Sequence, residues 1–485
     1  MKPIAPPYPQ ARAALGVKIY LGTALVVVLL MMLAGIAMRA SQAGWLDIAP
    51  DLFYQLMTAH GAGMVGIAGL AGAGVMWHFL SRYVTLSSTV LLVNYGLFLA
   101  GVVAILASIF VGGYAGGWTF LWPLPAHSLG VWSANAAAGF IFGLILIGVG
   151  FLLLYFDAGI AITRRYGSVL RGLGLDQLLS GRIDSAHPPT VVASSMVIIV
   201  NTLGTLTGAV VLVITLINLY FPQLAIDALI AKNMIYFFGH VFINASIYMA
   251  VIAVYELLPL YTRRPWKVSR PFYAAWAAAT VFVMAVYPHH LLLDGVMPKS
   301  LLILGQIVSY LSGIPVLLVT VYGALVLVYK SGIRWTAPAR WLMLAMFGWA
   351  GGVIPAIVDG TIHINRVMHN TMWVPGHFHF YLLLGFLPMV IGFCLYAFDS
   401  RQRFLERAQQ LLFGLYLLGS LAFSIAFLAG GWASVPRRWA QHRPSWMPYD
   451  QAGTLAALAI ILALLLLCAS VMRRIFSTHG HAAST

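Results

Sequence analysis

Long apolar runs separated by short polar breaks dominate this chain. Twelve such runs stand between charged, Gly-rich or Pro-rich punctuation, near residues 14–38, 52–79, 86–112, 128–156, 193–221, 232–261, 270–292, 299–329, 338–364, 372–397, 407–430 and 452–474. Most reach about 20 residues or more, enough to cross a ~30 Å hydrocarbon core at ~1.5 Å per residue. The pattern predicts an all-α, polytopic membrane bundle of about 12 helices, with residues 1–485 forming a single domain.

The residues between the runs orient them. With the N-terminus inside, 20 of the 27 Lys and Arg residues fall at inner ends or in inner loops. That asymmetry predicts both termini on the cytoplasmic side. Residues 157–192 form the longest inner connection and are expected to carry a short interfacial helix; 113–127 and 431–451 are the longest outer ones. The first run is too long for the core of a cleaved leader, so it reads as a span. No repeat of fixed period is visible.

Composition sharpens the picture. Of 485 residues, 61% are hydrophobic and 8% charged, against about 25% charged in a soluble domain. The formal charge of +15 sits in the connections, which is membrane topology rather than nucleic-acid binding. Cys394 and Cys468, the two cysteines, both lie inside apolar runs, which argues against a disulfide framework or a cysteine-held metal.

Candidate chemistry lies in the histidines. An unpaired polar ring in hydrocarbon costs several kcal/mol, so intramembrane histidines mark function. His60 in the second run, His240 in the sixth, His289 and His290 in the seventh, and His377 and His379 in the tenth all fall on the outer side, within ~15 Å of the boundary at ~1.5 Å per residue. His377 and His379 point about 200° apart on a helix, so they suit two different centres. His289 and His290, with His240, supply three imidazoles for one ion of copper, zinc or iron.

These residues carry a family resemblance. The stretch from Val367 to His379 (VMHNTMWVPGHFH), Tyr287-Pro288-His289-His290, Gly239-His240, His60 and Val435-Pro436-Arg437-Arg438 together resemble subunit I of the heme–copper oxidase superfamily, nearest its B-type branch. The resemblance covers essentially the whole chain. It implies two hemes and one copper ion, CuB. His60 and His379 would ligate a low-spin heme, whose filled coordination suits electron transfer. His377 would hold a high-spin heme open to a gas, and His240, His289 and His290 the copper facing it. Arg437 and Arg438, with His369, match the region that binds heme propionates; fixed guanidinium forks are what carboxylates require. It also implies a second subunit bearing CuA or a heme c, a cytochrome c-type donor, the surrounding lipid bilayer, and a bacterial or archaeal plasma membrane.

One position departs from the family. Where most members carry a tyrosine four residues after the copper histidine of helix six, this chain has Asn244; the alternative helix-seven position is Val283. One-step cleavage of dioxygen uses four electrons, one of them from that tyrosine, and an amide cannot be oxidised this way. Reduction of NO to N2O needs two electrons and no such residue. The reading therefore leans to nitric oxide, with cytochrome c oxidase activity, dioxygen to water coupled to proton translocation, as the alternative. The only glutamates, Glu256 and Glu406, lie far from the histidine layer, which favours copper over non-heme iron; Asp294 is the nearest candidate carboxylate otherwise. A transporter relaying protons through histidines is the reading from another class; the polar layer near one face and the lack of inverted repeats speak against it. Protons are expected from the inner side along Tyr255, Glu256 and Tyr248 of helix six with Ser309, Ser312 and Thr320 of helix eight.

Overall fold

A computed structural model describes residues 15–119, 128–397 and 405–477. Lys2, Arg12, Arg401 and Arg403, counted above for orientation, lie outside the described residues. Among the described residues, twelve spans are long and apolar enough to cross a membrane: α1 (Leu15–Gln42), α2 (Pro50–Leu80), α3 (Ser88–Phe110), α4 (Ala134–Tyr166), α5 (Pro189–Tyr220), α6 (Ala228–Thr262), α7 (Arg270–Leu291), α8 (Lys299–Val328), α9 (Ala337–Asp359), α10 (Trp373–Ala397), α11 (Arg407–Trp432) and α12 (Met447–Ala469). Among the described residues the protein is all-helical and has no strand, only an isolated bridge between Thr371 and Pro436.

The span count matches the hydropathy reading, and local capping sets several ends that apolarity misplaced. α4 starts at Ala134 rather than 128 because Ser133 Oγ accepts from the Ala136 amide at 3.2 Å. It continues to Tyr166, ten residues past the expected end, and stops at Gly167, whose φ of +89° a β-carbon would strain. α6 starts at Ala228, where Asp227 accepts from the Ile230 amide at 2.8 Å. α9 stops at Asp359, and residues 362–368 form a separate short helix, Ile362–Met368, instead of extending it. The 157–192 connection carries two short helices, Val169–Gly172 and Leu175–Ser180, where one was expected.

Two spans that carry histidines depart from the regular α-helix. The α-helix of α7 ends at Ala285, and Tyr287–Leu291 wind into a tighter 3-10 turn around Pro288, whose ring cannot continue the hydrogen-bond ladder. In α10, Tyr381–Phe386 form a wide π turn between two α-helical halves, and Gly348 of α9 lies against the backbone of Leu384 there, leaving no room for a β-carbon. Three of the four spans carrying these histidines are also the most enclosed. The most apolar stretches of α6, α2 and α10 are 83%, 72% and 67% buried, against 22% for α8. In lipid, such burial reflects protein contact rather than apolarity, because a lipid tail is as apolar as leucine.

A buried polar clamp closes the bundle between its first and last spans. Arg39 Nη1 lies 2.8 Å from Asp450 Oδ1, with the side chains 4% and 0% exposed. His442 Nδ1 is 2.7 Å from Asp450 Oδ2, and Gln42 donates to the Trp439 carbonyl at 2.6 Å. Removing one partner leaves a charge uncompensated in a dry interior. Asp450→Asn should therefore destabilise the solubilised protein by about 3–5 kcal/mol, seen as a lowered thermal midpoint. Arg39→Met combined with Asp450→Leu should recover most of that loss; an unchanged midpoint in Asp450→Asn alone would show that the clamp contributes nothing.

Candidate metal centre

The six histidines of α2, α6, α7 and α10 converge on one internal cavity of about 800 Å³. Its walls are mostly apolar, including Phe242, Ile243, Ile247, Val283 and Phe423, and the convergent polar groups are few, the composition of a buried binding site.

His60 and His379 face each other across part of this cavity. Their ring centroids are 6.2 Å apart and their planes differ by 24°. Each ring is turned by its own backbone acceptor: His60 Nδ1–H donates to Met31 O and His379 Nδ1–H to Pro375 O, both at 2.6 Å. A carbonyl can only accept, so the proton sits on Nδ1 and the Nε2 lone pair of each ring is free to ligate. Two imidazoles sharing one ion at about 2.0 Å per bond place their centroids roughly 6 Å apart. The pair fits a bis-histidine iron.

His240, His289 and His290 form a second group, whose ligand atoms lie within 4.8 Å of one another. His240 Nδ1 stands 3.0 Å from His290 Nε2, and His289 Nε2 stands 3.1 Å from the same atom. Three nitrogens around one tetrahedral ion at about 2.0–2.1 Å stand roughly 3.3 Å apart. In the 3-10 turn of α7 the consecutive rings of His289 and His290 lie 4.2 Å apart, centroid to centroid. The trio fits a single ion.

His377 lines the same cavity, and its Nδ1 is buried without a hydrogen-bond partner. His377 and His379, two residues apart, thus serve different parts of the cavity, as their helical angle requires. Asn244 sits one turn from His240. Its amide nitrogen donates to His240 O at 2.9 Å and lies 3.0 Å from His240 Nε2.

Arg437, Arg438 and His369 line the rim of the cavity. The loop carrying the arginines is pinned to the start of α10: Met372 N donates to Val435 O at 2.8 Å and Arg437 N to Asn370 O at 2.9 Å. Arg437 Nε and His369 Nδ1 are buried without partners. Burial, then Arg437 and Arg438, pushes His369 down to about 4, and burial followed by Arg438 pushes Arg437 down to about 10. Buried, unpartnered nitrogens on Arg437 and His369 beside a second guanidinium fit carboxylates.

The expected proton-path residues divide. Tyr255 OH lies 2.6 Å from Thr320 Oγ1, joining α6 to α8, and Tyr248, Ser309 and Ser312 line the cavity. Glu256 does not join them. Its carboxylate accepts from Tyr83 OH at 2.8 Å and from Thr190, toward α2 and α5, because adjacent helical residues diverge by about 100°. Tyr287 donates to Asn233 at 3.0 Å and is absent from the cavity wall. Asp294 pairs with Lys232 at 3.2 Å and is outside the histidine trio. His363 is exposed.

Sequence reasoning missed Tyr236, whose ring stacks on His290 at 5.3 Å and 16°. Its position one turn before His240 was the available signal. It also missed the carbonyls of Met31 and Pro375, for which no side-chain pattern exists.

Comparisons with known proteins agree with this architecture. Residues 16–465 match the family model described as cytochrome C and quinol oxidase polypeptide I. The chain is 26% identical over 277 residues to the heme-copper oxidase subunit I+III of Aeropyrum pernix, covering 56% of this chain and 32% of that one. It is 23% identical over 239 residues to cytochrome c oxidase polypeptide 1 of Halobacterium salinarum, covering 48% and 40%, and 24% identical over 274 residues to cytochrome c oxidase subunit 1 of Thermus thermophilus, covering 50% and 47%. The matches thus span less than half the length of these curated relatives. A solved heme-copper terminal oxidase dimer shares the fold, with a TM-score of 0.72 at 18% identity over 96% of this chain and 84% of that one. With a family match running nearly end to end, the chain belongs to the cytochrome c and quinol oxidase polypeptide I family.

Proposed function

We propose that this chain is the catalytic, gas-reducing subunit of a respiratory heme–copper terminal enzyme. The carrying observation is the opposed His60–His379 pair, 6.2 Å between centroids, beside a three-histidine group with nitrogens 3.0 and 3.1 Å apart. His60 and His379 would hold a low-spin heme, His377 a high-spin heme, and His240, His289 and His290 a copper ion. When bound, the hemes and copper supply one-electron transfer and a gas-binding pair of metals.

The chain's own residues set the conditions. Backbone carbonyls fix the ligand tautomers, apolar walls exclude water from a small gas, and Arg437, Arg438 and His369 offer donors to heme carboxylates. Proton supply runs on the Tyr255–Thr320 contact, Tyr248 and the hydroxyls of Ser309 and Ser312, entering from the side where both termini lie, the cytoplasm. Electrons come from a cytochrome c-type donor through a second subunit carrying CuA or a heme c, since Cys394 and Cys468 are both buried in spans and offer no place for CuA.

Dioxygen is the substrate that the comparisons favour, because the relatives in Halobacterium salinarum and Thermus thermophilus bear the name cytochrome c oxidase. Nitric oxide is the reading that one residue favours: Asn244, held on His240 by a 2.9 Å hydrogen bond, occupies the place of an oxidisable phenol.

Supplying purified enzyme with each gas alone separates these readings. Rapid four-electron dioxygen consumption with negligible N2O favours the first; N2O formation with slow dioxygen uptake favours the second. His379→Ala should abolish the low-spin heme absorption and with it turnover, while a spectrum equal to the parent's would remove the ligand assignment. Tyr255→Phe should slow steady-state gas reduction by about tenfold or more without altering heme absorption, and undiminished turnover would remove this proton route.

A further inference from the structure

The cavity histidines assigned to heme iron differ in what stands behind them. His60 and His379 turn their Nδ1–H groups to neutral backbone carbonyls at 2.6 Å. His377 has no such carbonyl. Its Nδ1 is sealed from solvent without a hydrogen-bond partner, and the group facing it is a carboxylate: Asp359 Oδ2 lies 3.8 Å away, with the two side chains 17% and 11% exposed. About 0.9 Å of side-chain movement would bring the pair to a hydrogen bond of ~2.9 Å.

Nothing in helix physics explains a carboxylate at this point. Asp359 is the last residue of α9, where the partial negative charge of the helix end opposes an anion. It is 8% exposed, and burying a charge is costly unless it is paired. Its other oxygen is held in place: Asn365 Nδ2 donates to Asp359 Oδ1 at 3.2 Å and to Asp359 O at 2.7 Å. Arg437 is close enough to interact with it electrostatically. Asn365 holds the carboxylate through Oδ1 while Oδ2 is presented to His377.

We propose that Asp359 is a positioning residue that accepts the Nδ1–H of His377, so that of the two heme sites only the high-spin one has a carboxylate-backed ligand. This rests on the assignment of His377 to the high-spin heme. A carboxylate acceptor makes the imidazole a stronger donor than a carbonyl does. It strengthens the iron–nitrogen bond and stabilises the oxidised metal. The low-spin site, backed only by carbonyls, keeps weaker donors. The chain thereby sets the two irons apart using residues away from the gas-binding face.

The test uses the purified holoenzyme with both hemes bound. Asp359→Asn preserves size and removes the charge. The iron–imidazole stretch of the reduced high-spin heme, read by resonance Raman scattering, should shift to lower frequency. The midpoint potential of that heme should become more positive while the low-spin heme stays unchanged. Asp359→Glu should return the stretch part of the way. An unshifted stretch in Asp359→Asn with both hemes present overturns the proposal, as does an equal shift of both potentials.

Should Asp359→Asn fail to assemble, Asn365→Ala keeps the carboxylate and removes the donor to Oδ1. The stretch should then rise, and an unaltered frequency overturns the proposal equally. A parent enzyme that binds no heme sinks the functional reading itself, a different failure from a heme-loaded variant that does not shift.

Discussion

The site depends on imidazole rings buried in a nearly dry interior with the proton held on a chosen nitrogen. A neutral histidine offers one lone pair, and which nitrogen carries it is set by the partner of the other. Met31 O and Pro375 O make that choice for His60 and His379. Their carbonyls come from α1 and from α10 itself, so ligand orientation is built into helix backbone. Side-chain partners would have to be ordered separately, at an entropic cost; helical carbonyls are already fixed by the fold.

Bringing four spans to one level takes departures from regular helix. The α-helix of α7 ends at Ala285, and His289 and His290 sit in the 3-10 turn that follows, their nitrogens 3.1 Å apart. The arginine loop gains its position from the bridge at Thr371–Pro436 and from Met372 N to Val435 O. This ties the rim donors to the start of the span that carries two of the cavity histidines. The cation donors and the imidazoles are therefore held by one local structure, with little freedom between them.

Polar groups below the histidine layer fall into two sets. Tyr255 and Thr320 join α6 to α8, while Glu256, the next residue, joins α6 to α2 and α5 through Tyr83 and Thr190. A single step along a helix separates them. Glu256, expected on the proton path from its place on helix six, is engaged with Tyr83 and Thr190 instead.

Hydropathy was enough to count twelve spans, and helical spacing was enough to separate His377 from His379 and to group His240 with His289 and His290; the pairing of His60 with His379 came from the family resemblance. The first two follow from sequence because span length and helical angle are local properties: ~1.5 Å and ~100° per residue hold wherever a helix forms. The tertiary structure decided what depends on neighbours distant in sequence. Met31 O behind His60, Asp359 facing His377, Tyr236 stacked on His290 and the turning of Glu256 toward Tyr83 are contacts between groups that no periodicity links. Span ends moved for a related reason: capping by Ser133 or Asp227 and the left-handed turn at Gly167 are single-residue events that a hydropathy average over many residues smooths away.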